Sequence, residues 1–384
     1  MFVRIVLAFL MASSMTVSKL DIGFGGSALR LMKSYLTNRN QYVQLGETSS
    51  DMKKIMTGVP QGSILGPLLF SIYINDLTNA SDLLEAILYA DDTTLLFHPT
   101  KSVNNLNLSA KINSELDAIN MWFRANKLSL NSDKTKYMIF HRPKSTPPNV
   151  KLKINGNDLE QVHTFKFLGL LLNENLTWTD HLQHIRIKIS KSIGIINKLK
   201  HTLPKPILKT LYQTLILPHL NFQILNWGRD PSAENIFKLQ KKAVRTISRA
   251  WYRAHTKPLF KSLGLLELND LYKLSLLKFH YKFFHGLLPH YHQNWQFKRN
   301  CDYHDYFTRN RLNISSTKHN YNYYEELIRY QLISFRNTLP SQIHEDIPRH
   351  KIRTVSKRYK DMIINDYDPT CQIHNCFACN AQGR

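Results

Sequence analysis

Cysteine is scarce. Only Cys301, Cys371, Cys376 and Cys379 occur among 384 residues, and none lies in the first 300. That excludes a disulfide-stapled fold and fits a reducing intracellular setting, nucleus or cytoplasm. Internal repeats of 20–50 residues are absent too, which removes solenoids and propellers. Long apolar runs are missing. The stretch from Ile5 to Met11, behind Arg4 and ahead of Ala12-Ser13-Ser14, has the outline of a short signal peptide and is too short to span a bilayer. Nothing else in the chain supports secretion or a membrane partner, so residues 1–18 read as a non-native start on a truncated chain. Acidic residues are the last shortage: 28 Asp and Glu face 51 Lys and Arg, for a net charge of +23. Such an excess points to a polyanionic partner, nucleic acid first.

The charge is unevenly spread. Residues 1–100 carry 7 basic and 8 acidic groups, and residues 101–384 carry 44 and 20. A near-neutral segment is thus followed by a basic one, an order that suits an active site followed by a region gripping a polyanion. The chain is long enough for two or three domains.

Within the neutral segment lies Ile87-Leu88-Tyr89-Ala90-Asp91-Asp92-Thr93-Thr94-Leu95-Leu96-Phe97. Strand-like residues flank a turn with two adjacent carboxylates. Two like charges side by side are unfavourable unless solvent or a cation screens them. Mg²⁺ suits such a pair, since it takes one or two carboxylates together with substrate phosphates. A solvated Asp-Asp turn is the plainer reading of these residues alone.

Upstream, Gly58, Gly62 and Gly66 recur every four residues in Thr57-Gly58-Val59-Pro60-Gln61-Gly62-Ser63-Ile64-Leu65-Gly66-Pro67. Glycine lets backbone approach a ligand closely, and Gln61 offers an amide to a base or sugar edge. A helix-entry turn explains the same residues, with Pro67 opening a helix over Leu68 to Leu77. Downstream, Leu106, Ile112, Leu116, Ile119 and Phe123 predict an amphipathic helix. Lys134 then sits in a polar turn before a strand, where an ammonium can stabilise a leaving phosphate or simply be solvated.

Asn155-Gly156 predicts a type I′ hairpin, and Phe165 to Leu172 a strand containing Phe167-Leu168-Gly169. Thr177-x-x-Asp180 resembles a capping box opening a helix with Leu182, Ile185, Ile189, Ile193 and Ile196 on one face. Its other positions hold Arg186, Lys188, Lys191, Lys198 and Lys200. A second helix, from Glu234 to Arg249, carries Lys238, Lys241, Lys242, Arg245 and Arg249. Solvated helix faces usually mix signs, and one-signed faces favour phosphate contacts. In the tail, Cys371, His374, Cys376 and Cys379 are possible zinc ligands. Their crowding departs from the paired spacing of structural zinc sites, which makes free thiols the first reading.

Four blocks in one order carry a resemblance: Gly58-Val59-Pro60-Gln61-Gly62-Ser63-Ile64-Leu65-Gly66-Pro67, Tyr89-Ala90-Asp91-Asp92, Leu130-Asn131-Ser132-Asp133-Lys134-Thr135 and Phe167-Leu168-Gly169. Together with Ser34-Tyr35-Leu36-Thr37-Asn38-Arg39, the chain resembles the reverse transcriptases of non-LTR retrotransposons of the jockey/CR1/L2 kind. The resemblance implies an α+β right-hand polymerase palm, partial and without fingers, followed by a helical thumb-like region and a tail. Residues 1–18 would be the foreign start, 19–180 the palm, 181–300 the basic thumb-like region and 301–384 the C-terminal region.

It also implies RNA-templated DNA synthesis from a DNA primer and dNTPs with two Mg²⁺ ions. Asp91 and Asp92 would be metal ligands, and Lys134 would face the triphosphate. Pro60, Gln61, Gly62 and Tyr89 would line the nucleotide and template pocket, and Phe167, Leu168 and Gly169 would form the primer grip. Arg186, Lys188, Lys191, Lys198, Lys241, Lys242 and Arg245 would hold nucleic-acid backbone. The family's further aspartate, on an earlier strand, has no counterpart, because Met1 to Met15 contains no Asp or Glu. Impaired catalysis is therefore expected, and the alternative is a non-catalytic, nucleic-acid-binding remnant of a mobile element.

Overall fold

The computed structural model describes residues 2–8, 25–55, 58–59, 62–98, 108–131, 134–293, 295–303, 305–315 and 327–368. They form two compact units, Met1–Thr177 and Trp178–Arg384.

The first unit mixes helix and sheet. Its strands are β1 (Phe2–Ala8), β2 (Leu84–Tyr89), β3 (Asp92–Phe97), β4 (Ser129–Leu130), β5 (Lys136–Met138) and β6 (Glu160–Gln161). The sheet runs β6-β5-β1-β3-β2, and β4 also pairs with β1. Only β6 and β5 run parallel among these pairs. The opening of the chain, expected to lie outside the domain, instead supplies the strand at the centre of this sheet. The physical reason is legible afterwards: Phe-Val-Arg-Ile-Val-Leu is β-branched and nearly all apolar, as strands flanked on both sides are. The same run can be mistaken for the apolar part of a signal peptide.

Helices α1 (Gly26–Leu36), α2 (Leu65–Ile74) and α3 (Leu108–Ala125) complete the unit. Alternation along β2 and β3 decides which face the helices cover. Leu84 and Leu95 join Phe70, Tyr73, Ile112 and Phe123 in one buried cluster. The cross-strand pairs Tyr89–Asp92 and Ile87–Thr94 therefore belong to the opposite face. Buried Tyr73 of α2 donates its hydroxyl to the carbonyl of Asn126 just beyond α3, which ties the two helices together. Helix α2 starts at Leu65, with the Ser63 hydroxyl accepting the Gly66 N–H at 3.1 Å. Pro67 thus falls within the first turn rather than at its first residue, where its missing N–H leaves no intrahelical bond unmade.

The Asn155-Gly156 hairpin forms as expected, with both φ angles positive, at 52° and 78°. Strands β7 (Thr164–Phe167) and β8 (Leu170–Asn173) make a separate hairpin. This corrects the expected single strand: Leu168 and Gly169 are its two turn residues, with φ of 43° and 90°.

The described part of the second unit is helical. Its main helices are α4 (Thr179–Leu199), α5 (Lys205–Leu215), α6 (Ala233–Ser248), α7 (Leu268–Phe284), α8 (Ile328–Thr338) and α9 (Ile352–Asp366). The expected stripe of α4 is buried, from Leu182 through Ile196. Asn173 bonds both the Thr177 N–H, at 2.8 Å, and the Thr177 hydroxyl, at 2.6 Å, so that threonine is engaged by the preceding hairpin. Buried Gln240 of α6 donates to the Tyr212 hydroxyl of α5 and to the Leu266 carbonyl, at 2.9 and 3.0 Å.

Candidate active site

The carboxylate hairpin follows from register. Tyr89 pairs with Asp92, leaving Ala90 and Asp91 as a two-residue loop. Ala90 has φ of 51° and Asp91 is not in the positive range, the sign pattern of a type II′ turn whose first position favours glycine. An alanine held there stores about 1 kcal/mol of local strain. The tight loop fixes Asp91 at the tip and Asp92 at the first ladder position, both half-buried, beside the exposed Tyr89 ring.

The neighbouring strands bring a cation to the same end of the sheet. Along β1, Arg4 pairs with Thr94 on one side and Lys136 on the other, and Val6 pairs with Asp92. Strands β4 and β5 both border β1, and Lys134 lies in the chain between them. The Lys134 N–H donates to the Asn131 side chain at 3.1 Å, and its own side chain is exposed. Two residues before Lys136, Lys134 therefore lies toward the Asp92 end of the sheet.

Two carboxylates at a hairpin suit a divalent ion, but a bridging pair of ions asks for more. The register partner of Asp92 is Val6, and Phe2–Ala8 contains no Asp or Glu. Among the described residues no group of three His, Cys, Asp or Glu converges as a metal site requires.

Of the glycine loop, Gly58 and Gly62 are described, with φ of 79° and 80°, and a Cβ on either would meet open space. Their need for glycine is conformational rather than one of crowding. Arg39 donates to the Gly58 carbonyl and, at 3.2 Å, to the Leu36 carbonyl, pinning the loop to the end of α1. Sequence reasoning misses that anchor; an arginine just after a helix end is its only signal. Pro60 and Gln61 lie outside the described residues, as do Cys371, His374, Cys376 and Cys379. Phe167 and Leu168 are half-buried and Gly169 is exposed, on the separate β7–β8 hairpin.

On the second unit, Arg186, Lys188, Lys191 and Lys198 are exposed along α4, and Lys242 along α6. Two of the expected backbone-binding cations differ. Arg245 is half-buried and donates from Nε to the Ala254 carbonyl at 2.8 Å, and burial draws its pKa down. Lys241 lies 3.8 Å over the Phe237 ring and 3.9 Å from Glu234. Sequence spacing could not separate these from the exposed face, because both lie beside the apolar stripe of α6.

Among the described residues no helix is long and apolar enough to cross a membrane.

Residues 2–172 match the family described as reverse transcriptase (RNA-dependent DNA polymerase). This stretch is similar to reverse transcriptase domains, and the match begins within β1. The chain is similar to the RNA-directed DNA polymerase from mobile element jockey of Drosophila melanogaster, at 28% identity over 62% of this chain and 27% of the relative. To the jockey polymerase of Drosophila funebris it is 29% identical over 65% of this chain and 28% of the relative. To the probable polymerase from transposon BS of D. melanogaster it is 28% identical over 66% and 29%. The chain spans less than a third of the length of these relatives. Among solved structures, telomerase from Candida albicans in complex with a fragment of telomeric RNA aligns with a TM-score of 0.33 at 12% identity, over 68% of this chain and 40% of that one.

Proposed function

We propose that this chain is the template- and primer-gripping core of a retrotransposon reverse transcriptase, built for RNA-templated DNA synthesis but impaired in its chemical step. One observation carries both halves: Asp91, Asp92 and Lys134 gather toward one end of a sheet whose central strand, paired with Asp92, has no carboxylate. On this reading the sheet with α2 and α3 is a polymerase palm. Bound Mg²⁺ would supply activation of a primer 3′-hydroxyl and neutralise charge on the dNTP phosphates.

The chain's own residues do the rest. Asp91 and Asp92 hold two coordination positions, and Lys134 offers a proton or a charge to the leaving phosphate. The Pro60-Gln61-Gly62 loop and Tyr89 shape the nucleotide pocket, and the Phe167-Leu168-Gly169 turn steadies the primer. The exposed cations of α4 and α6 neutralise backbone phosphates. The missing carboxylate favours a second reading, in which the chain binds nucleic acid without catalysis.

Primer extension with an RNA template, dNTPs and Mg²⁺ separates the two halves. Weak or absent synthesis with tight, salt-sensitive template-primer binding is the expected result. Robust synthesis abolished by Asp91→Ala would overturn the impairment, and salt-insensitive or undetectable binding would overturn the grip.

A further inference from the structure

In the second unit, residues 298–303 and 305–315 belong to a loop whose two ends are tied together. Arg299 and Ile314 make an antiparallel bridge. The Asn300 N–H donates to the Asn313 carbonyl, and the Cys301 N–H to the Arg311 carbonyl, both at 3.0 Å. At the base, the Asn337 side chain of α8 accepts from the Ile314 N–H and donates to the Ile314 carbonyl, at 2.9 and 3.0 Å. Such a loop is a compact surface device with closed ends rather than a slack connection.

Its foot and its tip are treated oppositely. At the foot, Phe297 packs edge-on against Phe283 of α7, with ring centroids 5.1 Å apart. At the tip, Tyr303, Tyr306 and Phe307 are 62%, 78% and 91% exposed. Leaving a Phe-sized side chain in water forgoes about 1.5–3 kcal/mol of burial, so three such rings on one ordered loop mark a binding surface.

The charges say which kind. Lys298, Arg299, Arg309 and Arg311 outnumber Asp302 and Asp305 on the loop. Asp302 is engaged internally, accepting the Arg299 N–H at 2.7 Å. Two cations lie against the rings themselves: Arg311 is 4.2 Å from the Phe307 centroid and Lys298 is 5.8 Å from that of Tyr303. Each of these two rings thus has a positive charge on one side. Exposed aromatic faces interleaved with cations are what an unpaired polynucleotide needs, the rings for its bases and the cations for its phosphates. A duplex hides its base faces and gains nothing from the rings. An apolar protein partner gains little from the cations.

We propose that the loop over residues 298–315 is a stacking surface for single-stranded RNA, distinct from the phosphate-gripping faces of α4 and α6. The choice of RNA rests on the template reading given above. The loop would hold template that has not yet been paired.

The test uses the full chain and fluorescence anisotropy with a 12-nucleotide oligo(U) RNA and an RNA–DNA duplex of equal length. Tyr306→Ala combined with Phe307→Ala should weaken oligo(U) binding on the order of ten-fold or more and leave duplex binding unchanged. Phe307→Tyr, which keeps the ring, should behave as wild type. Unaltered oligo(U) affinity in the double variant overturns the proposal, and so does a parallel loss for both ligands. A loop-dependent dimer in sedimentation, with RNA affinity unchanged by the double variant, would assign the rings to self-association instead. Failure of the wild-type chain to bind either ligand would overturn the template reading as well. Wild-type binding of the duplex with no detectable binding of oligo(U) would overturn the loop alone.

Discussion

Val6 stands directly opposite Asp92 in the antiparallel pairing of β1 with β3. The sequence thus puts a neutral residue at the β1 register position paired with Asp92, where an acidic one would add a third carboxylate to the set. Val6→Asp should raise primer extension above the wild-type level in Mg²⁺, and the gain should vanish with Asp91→Ala. Without the ion, three clustered carboxylates repel one another. The variant should then melt about 2–4 °C lower for each kcal/mol of repulsion, and Mg²⁺ should restore it. Extension no better than wild type, with a melting temperature indifferent to Mg²⁺, would show that position 6 does not face the ions.

The hairpin itself is legible in the sequence because its chemistry is local: β-branched residues, a turn and two acids follow one another in eleven positions. Its surroundings are not. The pairing of β1 with β3 joins residues about ninety apart in sequence, and an apolar run carries no mark of its partner strand. The Phe167-Leu168-Gly169 stretch misleads for a different reason. Leucine is rarely held at positive φ, so only Gly169 hints at a turn. The thumb-like cations are legible as a group, but Arg245 shows that spacing cannot tell a half-buried arginine bonded to a carbonyl from an exposed one.

That distinction predicts a split among the basic residues. Lys191→Glu with Lys198→Glu should weaken template-primer binding and lower the slope of log affinity against log salt by about one for each phosphate no longer neutralised. Melting should change little, since both side chains are exposed. Arg245→Ala should do the reverse, lowering stability by about 1–2 kcal/mol while leaving the salt slope intact. Titrations at several salt concentrations, paired with urea melts, separate the two. Identical effects from both variants would contradict the assignment.

Acid should loosen the second unit before the first. His181 and His280 are buried, and burial is the leading cause that brings both imidazoles down to about 4. In the unfolded chain they bind protons near the ordinary value of 6.5. The unfolded state therefore holds more protons between those limits, and stability falls as pH drops from 6.5 toward 4. Each imidazole contributes up to about 3 kcal/mol across that window. Urea denaturation at pH 7.5, 5.5 and 4.5 measures the slope, and His280→Leu should flatten it. A stability that is level over this range would rule the account out.

Tyr367 closes the last described turn of the second unit. Its hydroxyl donates to the buried carboxylate of Asp270 and accepts the Glu267 N–H at 3.0 Å. Lys261 reinforces the same place by donating to the carbonyls of Asn365 and Tyr367, at 2.9 and 2.7 Å. One hydroxyl thus satisfies an acceptor and a donor at the start of α7 from the far end of α9. Tyr367→Phe keeps the ring and removes both bonds, leaving the Glu267 N–H and one Asp270 oxygen short of a partner. An unsatisfied buried group costs about 1–3 kcal/mol, and this variant creates two. The expected loss is about 2–4 kcal/mol in urea denaturation, with faster amide exchange along α9 than along α4. Lys261→Met should cost less, because its partners are carbonyls that water can reach. A Tyr367→Phe protein as stable as wild type would mean that water replaces the hydroxyl and that α9 is held by its apolar packing alone.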